Sequence, residues 1–195
     1  MAPSASAREE LFITPRTVSH FTDQEVTDEM LQEIYNLTKM GPTAFNSQPL
    51  RITWVRSPEA RQRLAAHMVD SNQAKTIAAP VTAILSFDRS WFQRFGEFNP
   101  RSAPNMQPMF EGNPEAADGT GALSAHLQAG YFITAVRALG LDAGPMTGSD
   151  LAAITTEFLA DKNQQAFLIV NLGYGIEPSY PRKSRFEFED VTETI

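Results

Sequence analysis

Four short polar stretches interrupt the 195-residue chain and carry the residue types from which a site could be built. The first, Arg16-Thr17-Val18-Ser19-His20, sets a cation beside two hydroxyls ahead of a capped helix. A guanidinium and backbone N–H groups there can clamp a phosphate, although the same residues suit a plain surface loop. The second runs from Gly41 to Pro49 and offers Thr43, Asn46, Ser47 and Gln48 directly ahead of a strand. Amides and hydroxyls both donate and accept, as a polyol chain or the edge of a heterocycle requires; an Asx/Pro turn is the other reading. The third is Asn72 with Lys75, which share a helix face at i,i+3 spacing; a solvated lysine fits equally. The fourth, Pro181-Arg182-Lys183-Ser184-Arg185, puts three of the chain's 16 basic residues into five positions. Such local cation density suits a bound phosphate, or a solvated turn.

Other chemistries lack their residues. There is no cysteine, which removes disulfides, thiolate metal sites and cysteine nucleophiles, and which fits a reducing compartment such as the cytoplasm. His20, His67 and His126 lie far apart without H-E-x-x-H spacing, so no metal site is expected. No nucleophile elbow or P-loop is present. Gly173-Tyr174-Gly175 runs on into Ile-Glu-Pro and lacks the third glycine of a dinucleotide loop, and Gly119 and Gly121 follow the polar, turn-prone stretch 111–120 and read as loop glycines ahead of a helix. With 16 basic and 23 acidic residues the net charge is −7, so no global field gathers nucleic acid or anionic lipid. No window approaches the ~18 consecutive apolar residues of a membrane span, and the N-terminus has no apolar leader.

The elements that must position these islands form one domain over 1–195. Residues 1–10 read as a loose, flexible arm. Leu31, Ile34, Tyr35 and Leu37 recur at helical spacing over 28–39, and Gly41-Pro42 ends that helix. Arg51 to Arg56 alternates as a half-buried strand, followed by a Ser57 cap, an N1 proline and a helix to about Met68. Residues 79–87 form a second strand and 167–175 a third, apolar enough to be buried on both faces. Residues 88–120, rich in Pro, Gly, Asn and aromatics, are expected to be a variable lid on the substrate side or a loop over a small satellite core of Trp91, Phe92, Phe95 and Phe98. Residues 121–139 form a helix apolar nearly all round, which asks for burial in the core and against a second subunit. The tail 186–195 is acidic and expected to be extended.

In this order the islands resemble the nitroreductase family of flavin mononucleotide (FMN) proteins from about Arg16 to Arg185. The N-terminal basic/hydroxyl cluster looks like Arg16-Thr17-Val18-Ser19, the P-S-S-x-N-S-Q-P turn like Pro42 to Pro49, and the helical N-x-x-K like Asn72 to Lys75. The G-L/I-D-A-x-P segment matches Gly140 to Pro145, continuing through Met146, Thr147 and Gly148, and the closing P-K-S-R resembles Arg182 to Arg185. Gly144 to Gly148 and Val170 to Gly175 look most similar to the malonic semialdehyde reductase subgroup linked to pyrimidine degradation. Ala44 replaces the family's second serine, and Thr147 stands where other nitroreductases carry an acidic residue.

The resemblance implies an α+β sandwich, a mixed sheet flanked by helices, and an intertwined homodimer with two FMN sites at its interface. It implies ping-pong hydride transfer, from NADH or NADPH through flavin N5 to a small organic acceptor such as a 3-oxo acid. The cofactor-binding residues carried over are Arg16, Thr17, Ser19, Pro42, Thr43, Asn46, Gln48, Asn72, Lys75, Pro145, Met146, Thr147, Gly148, Lys183 and Arg185. Arg16, Lys183 and Arg185 would hold the phosphate, Lys75 would give electrostatic support near N1 and O2, and the backbone N–H groups of Met146 to Gly148 would face N5. No catalytic side chain is expected. The alternative is a flavin store or sensor with little turnover.

Overall fold

Strand propensity and two-faced hydrophobicity select the centre of the molecule. In the computed structural model, which describes residues 3–195, β1 (Leu50–Val55), β2 (Val81–Asp88), β3 (Asp142–Met146) and β4 (Gln164–Gly173) form a four-stranded sheet in the order β1-β2-β4-β3. Every neighbouring pair is antiparallel, with Thr53 opposite Ile84, Ile84 opposite Ile169 and Met146 opposite Ile169. The class is α+β as expected, but the sheet is not mixed. Two helices, α3 (Pro58–Ala65) and α4 (Asp70–Ala78), join β1 to β2 and bring the chain back to the end of the sheet it left, whereas a single crossover helix would have made the pair parallel. β3 was read from sequence only as a motif, because Gly144 and Pro145 dilute its strand signal.

Successive residues of β2 and β4 point to opposite faces. Ala83, Leu85, Val170 and Leu172 pack with Ile34 of α2 (Asp28–Thr38) and Phe132 of α7 (Pro114–Ala138). Ile84 and Ile169 pack on the other face with Leu64 of α3 and Ile154 of α8 (Leu151–Leu159). The expected caps are present: Thr27 accepts from Met30 N at 3.3 Å, and Ser57 from Ala60 N at 3.1 Å with Pro58 in the first turn.

Three segments differ from the sequence expectation. Residues 88–120 are largely helical: a 3-10 turn at Trp91–Arg94, α5 (Phe95–Phe98) and α6 (Ala103–Glu111) lead into α7. Trp91, Phe95, Phe110 and Ala117 make a satellite core, with Phe92 packed against it and Phe98 exposed. Second, α7 starts at Pro114, seven residues before the expected 121, so Gly119 and Gly121 are helical. The Asn113 side chain accepts from Ala116 N at 3.1 Å with Pro114 in the first turn, a helix-start signal hidden in a stretch that reads as a turn. Third, the two ends are less irregular than expected. In the arm, α1 (Ala5–Arg8) and a π-helical turn (Glu9–Ile13) are present, and its first two residues lie outside the described residues. In the tail, α9 (Phe188–Val191) is closed by a Glu187–Asp190 capping box. Among the described residues no helix is long and apolar enough to cross a membrane.

Gly121 shows why α7 carries glycine in mid-helix. A Cβ there would lie 2.7 Å from Trp91 Nε1 and 2.8 Å from its Cδ1, and this indole is held by a 2.9 Å hydrogen bond to Ala117 O. Helix propensity alone favours Gly121→Ala by up to about 1 kcal/mol. Overpacking a buried aromatic costs about 1–3 kcal/mol and should win. Gly121→Ala is therefore expected to unfold at lower denaturant with altered tryptophan fluorescence; a stabilised variant would show that the satellite core is loose.

Candidate functional site

At the β3 edge the chain turns sharply after Met146, and α4 docks against that turn. Val69 N donates to Gly148 O at 3.0 Å, Asn72 Nδ2 donates to the same oxygen at 3.2 Å, and Met68 forms an isolated bridge with Ser149. Lys75 Nζ stands 3.5 Å from Asn72 Oδ1 on the same helix face. Glycine at 148 permits this close approach: a Cβ would lie 2.8 Å from Asn72 Nδ2 and 2.9 Å from Val69 Cγ2, so either side chain would have to move to admit one. The two islands Asn72/Lys75 and Pro145-Met146-Thr147-Gly148 are thus one structural unit. Met146 packs into the core beneath it, while Thr147 is exposed.

The first and fourth islands meet beside β3. Arg16 donates to Tyr180 O at 2.9 Å and lies over the Tyr180 ring; Arg182 donates to the carbonyls of Ile13, Thr14 and Pro15. The 20–22 and 174–176 segments are joined by the hydrogen bonds Thr22 N to Tyr174 O and Ile176 N to His20 O. Val18 O crowds β3 closely enough that a Cβ at Gly144 would lie 2.9 Å from it. Arg16 and Arg137 line a cleft of ≈ 470 Å³ with Thr14, Asp142, Gly175 and Glu177. Burial, and after it the Arg182 charge, push Arg137 below the ordinary guanidinium value, with Asp142 acting in the opposite sense. Arg16, Arg137, Arg182, Lys183 and Arg185 make no ion pair with a carboxylate among the described residues. Thr17 and Ser19 lie on the same segment as Arg16. Lys183 and Arg185 are exposed, and the Arg185 guanidinium meets the carbonyls of Lys183 and Ser184.

The second island lies elsewhere. Pro42 and Thr43 lead into a strained turn in which Phe45, Asn46 and Gln48 all take left-handed φ (57°, 57° and 46°), a region non-glycine residues seldom occupy. Thr43 Oγ1 accepts from Gln48 N at 3.2 Å, and Gln48 Nε2 reaches Asn46 Oδ1 at 3.4 Å. The turn feeds β1, which is the edge strand opposite β3. Three strand spacings, about 14 Å, separate those edges. Within one chain, then, the structure gathers four of the five motifs on the β3 side and leaves Thr43, Asn46 and Gln48 apart.

Two buried hydroxyls have no hydrogen-bond partner, Ser47 Oγ in the turn, which the sequence reading named, and Ser149 Oγ after Gly148, which it missed. Val69 and Tyr180 were also missed. Both act through the backbone, which leaves no side-chain signal.

The pattern of the nitroreductase family, described by that name, matches residues 15–174. A Streptomyces coelicolor protein provisionally named NADH dehydrogenase/NAD(P)H nitroreductase is 47% identical over 191 residues, covering 97% of this chain and 96% of its own. A Caulobacter protein with the same provisional name is 41% identical, covering 97% of each chain. Among solved structures, a nitroreductase-type protein of Exiguobacterium sibiricum in complex with FMN superposes with a TM-score of 0.86 at 19% identity, over 99% of both chains. A nitroreductase family protein of Streptococcus pneumoniae gives 0.83 at 21%, over 97% of this chain and 98% of its own.

The Met68–Ser149 junction is braced by a surface cluster. Glu157 of α8 accepts from Arg63 Nε at 2.7 Å and pairs with His67 Nε2, just before that junction. The hydrogen bonds from His67 and then Arg63 hold the Glu157 carboxyl below its ordinary value. A depressed carboxylate contributes stability that is present above its unfolded pKa and is lost as pH falls through the folded value. Glu157→Gln is therefore expected to melt lower than the parent at pH 7, by the small margin of an exposed ion pair, and to converge with it near pH 3. A gap unchanged between those pH values would mean that the brace is not ionic.

Proposed function

The chain belongs to the nitroreductase family, and from that premise we propose that it is an FMN-dependent NAD(P)H oxidoreductase, working as a homodimer and reducing a small organic acceptor. The observation that carries this reading is the convergence beside β3 of cations without carboxylate partners, the Asn72/Lys75 helix face and the Gly148 turn against which Asn72 packs closely. The donor set fits FMN: guanidinium and ammonium groups suit one terminal phosphate, and amides with backbone N–H groups suit the edge of a flavin ring. FMN held there would supply the hydride chemistry between nicotinamide and acceptor, so the protein itself would need no nucleophile.

In this reading Arg16, Lys183 and Arg185 hold the phosphate, with Thr17 and Ser19 alongside. Asn72, fixed by Gly148 O, orients the ring edge. Lys75 supplies positive charge where negative charge grows on reduction, and the backbone N–H groups of Met146, Thr147 and Gly148, led in by Pro145, donate to the opposite edge. Pro42, Thr43, Asn46 and Gln48 come from a second copy, since their own chain holds them at the far edge of the sheet. Leu123, Leu127 and Tyr131 support that second copy. They recur at i, i+4 and i+8 on α7 with relative exposures of 66%, 49% and 46%, an apolar stripe that a partner would cover. The acceptor favoured is a 3-oxo acid such as malonic semialdehyde, because exposed, uncharged Thr147 leaves no fixed carboxylate to repel an anion at that position.

The protein should purify yellow, release FMN on denaturation, and be bleached by NADH or NADPH and reoxidised by an aldehyde, quinone or nitroarene; a flavin store would bind FMN and ignore both nicotinamides. Arg185→Ala should weaken FMN binding by about 1.5–3 kcal/mol while FMN-saturated enzyme keeps its turnover. Lys75→Ala should lower the flavin's reduction potential and slow bleaching at full occupancy. If potentiometry and stopped-flow traces on Lys75→Ala match the parent, Lys75 is a solvated lysine. Leu127→Asp should sediment as a monomer and bind FMN poorly, and a variant that stays dimeric would place the interface elsewhere.

A further inference from the structure

The Phe45 to Gln48 turn is held from outside by the segment expected to form the lid. Asn99 Nδ2 donates to Phe45 O at 3.1 Å, and Asn46 Nδ2 donates to Phe98 O at 3.3 Å, a reciprocal pair of side-chain to backbone bonds. The Phe45 ring packs on Phe95 and Phe110, with centroids 5.8 and 6.1 Å away, and so plugs the satellite core from its outer side. Asn99 is itself fixed at the α5–α6 junction. Its N–H donates to Phe95 O at 2.8 Å, and its carbonyl accepts from the N–H groups of Ser102 and Ala103, both at 3.1 Å. A left-handed run of non-glycine residues persists only where its surroundings over-determine it. Inside the turn, Thr43 and Gln48 supply restraints of their own, but the carbonyl of Phe45, the first left-handed residue, is held by Asn99.

We propose that Asn99 is a positioning residue for the cofactor: it locks Phe45, Asn46 and Gln48 in the left-handed conformation that presents the turn to FMN, and thereby ties cofactor affinity to the α5–α6 segment. This rests on the functional reading above. Asn99 touches neither FMN nor substrate; it acts through the backbone of the turn. The entropy of ordering the turn is met before FMN arrives, so loosening it raises the cost of binding without removing any contact to the cofactor.

The test compares the parent with Asn99→Ala and Asn99→Asp, two ways of deleting the amide donor, and with Glu97→Gln as a control on the same segment. FMN is titrated into apoprotein by fluorescence quenching, and amide hydrogen exchange is followed over residues 43–49 without FMN. Both Asn99 variants should bind FMN about 3- to 10-fold more weakly, the equivalent of one hydrogen bond. Exchange should be faster over 43–49 in both, with a thermal midpoint close to the parent's and with Glu97→Gln unchanged. If one Asn99 variant does not fold, the other carries the comparison. Parent-like affinity and exchange in a folded Asn99 variant would overturn the proposal while leaving the functional reading intact. A parent protein that does not bind FMN would bring down both.

Discussion

The constraint on which the rest depends is that β2 and β4 are apolar on both faces. A strand of this kind must be central and must be covered on each side. Ile84 and Ile169 therefore demand α3 and α8, and Leu85 and Leu172 demand α2 and α7. Once β2 and β4 occupy the middle, β1 and β3 can only be edges. The two polar turns attached to those edges, 42–48 ahead of β1 and 146–149 after β3, are then held apart by the width of the sheet. The separation of the two turns follows from the hydrophobicity of strands that touch neither of them.

Each turn is shaped by a different physical device. At the β3 side the device is steric: Gly148 and Gly144 let Asn72 and Val18 O come closer than any side chain would allow, so backbone and helix form one continuous surface. At the β1 side it is strain, three left-handed non-glycine residues kept in place by hydrogen bonds and by an aromatic plug. The first device is carried within its own motif. The second depends on Phe95, Phe98, Asn99 and Phe110, which lie 50 or more residues downstream of the turn.

Electrostatics repeat this local logic. The chain is acidic overall, at −7, yet around Arg16 the 13–16 and 180–185 segments bring several cations together without carboxylate partners. Burial, and after it the Arg182 charge, push Arg137 below its ordinary value, a cost that an anion beside it would relieve. Elsewhere Arg51 pairs with Asp88, Arg89 with Asp118 and Arg94 with Glu97, while Arg61 meets only the carbonyls of Ile77 and Ala79.

Much of this was legible in the sequence. Periodicity located α2, α3, β1, β2 and most of β4, because each element's pattern is set by residues within four positions of one another. The ordered motifs identified the family and so the α+β class. What sequence could not supply were features that arise between distant segments. Asn113-Pro114 starts α7 inside a polar stretch that reads as a turn, and the aromatic stretch 88–110 becomes helical because its rings find one another and Gly121. β3 exists because β4 offers it an edge, despite Gly144 and Pro145. The sequence determined which residues could bind an anion, a ring edge and a nicotinamide-reduced cofactor. Only the tertiary structure decided that four motifs share one side of the sheet and the fifth does not, because strand order is set by which strands must be buried on both faces, and motif spacing along the chain carries no record of that order.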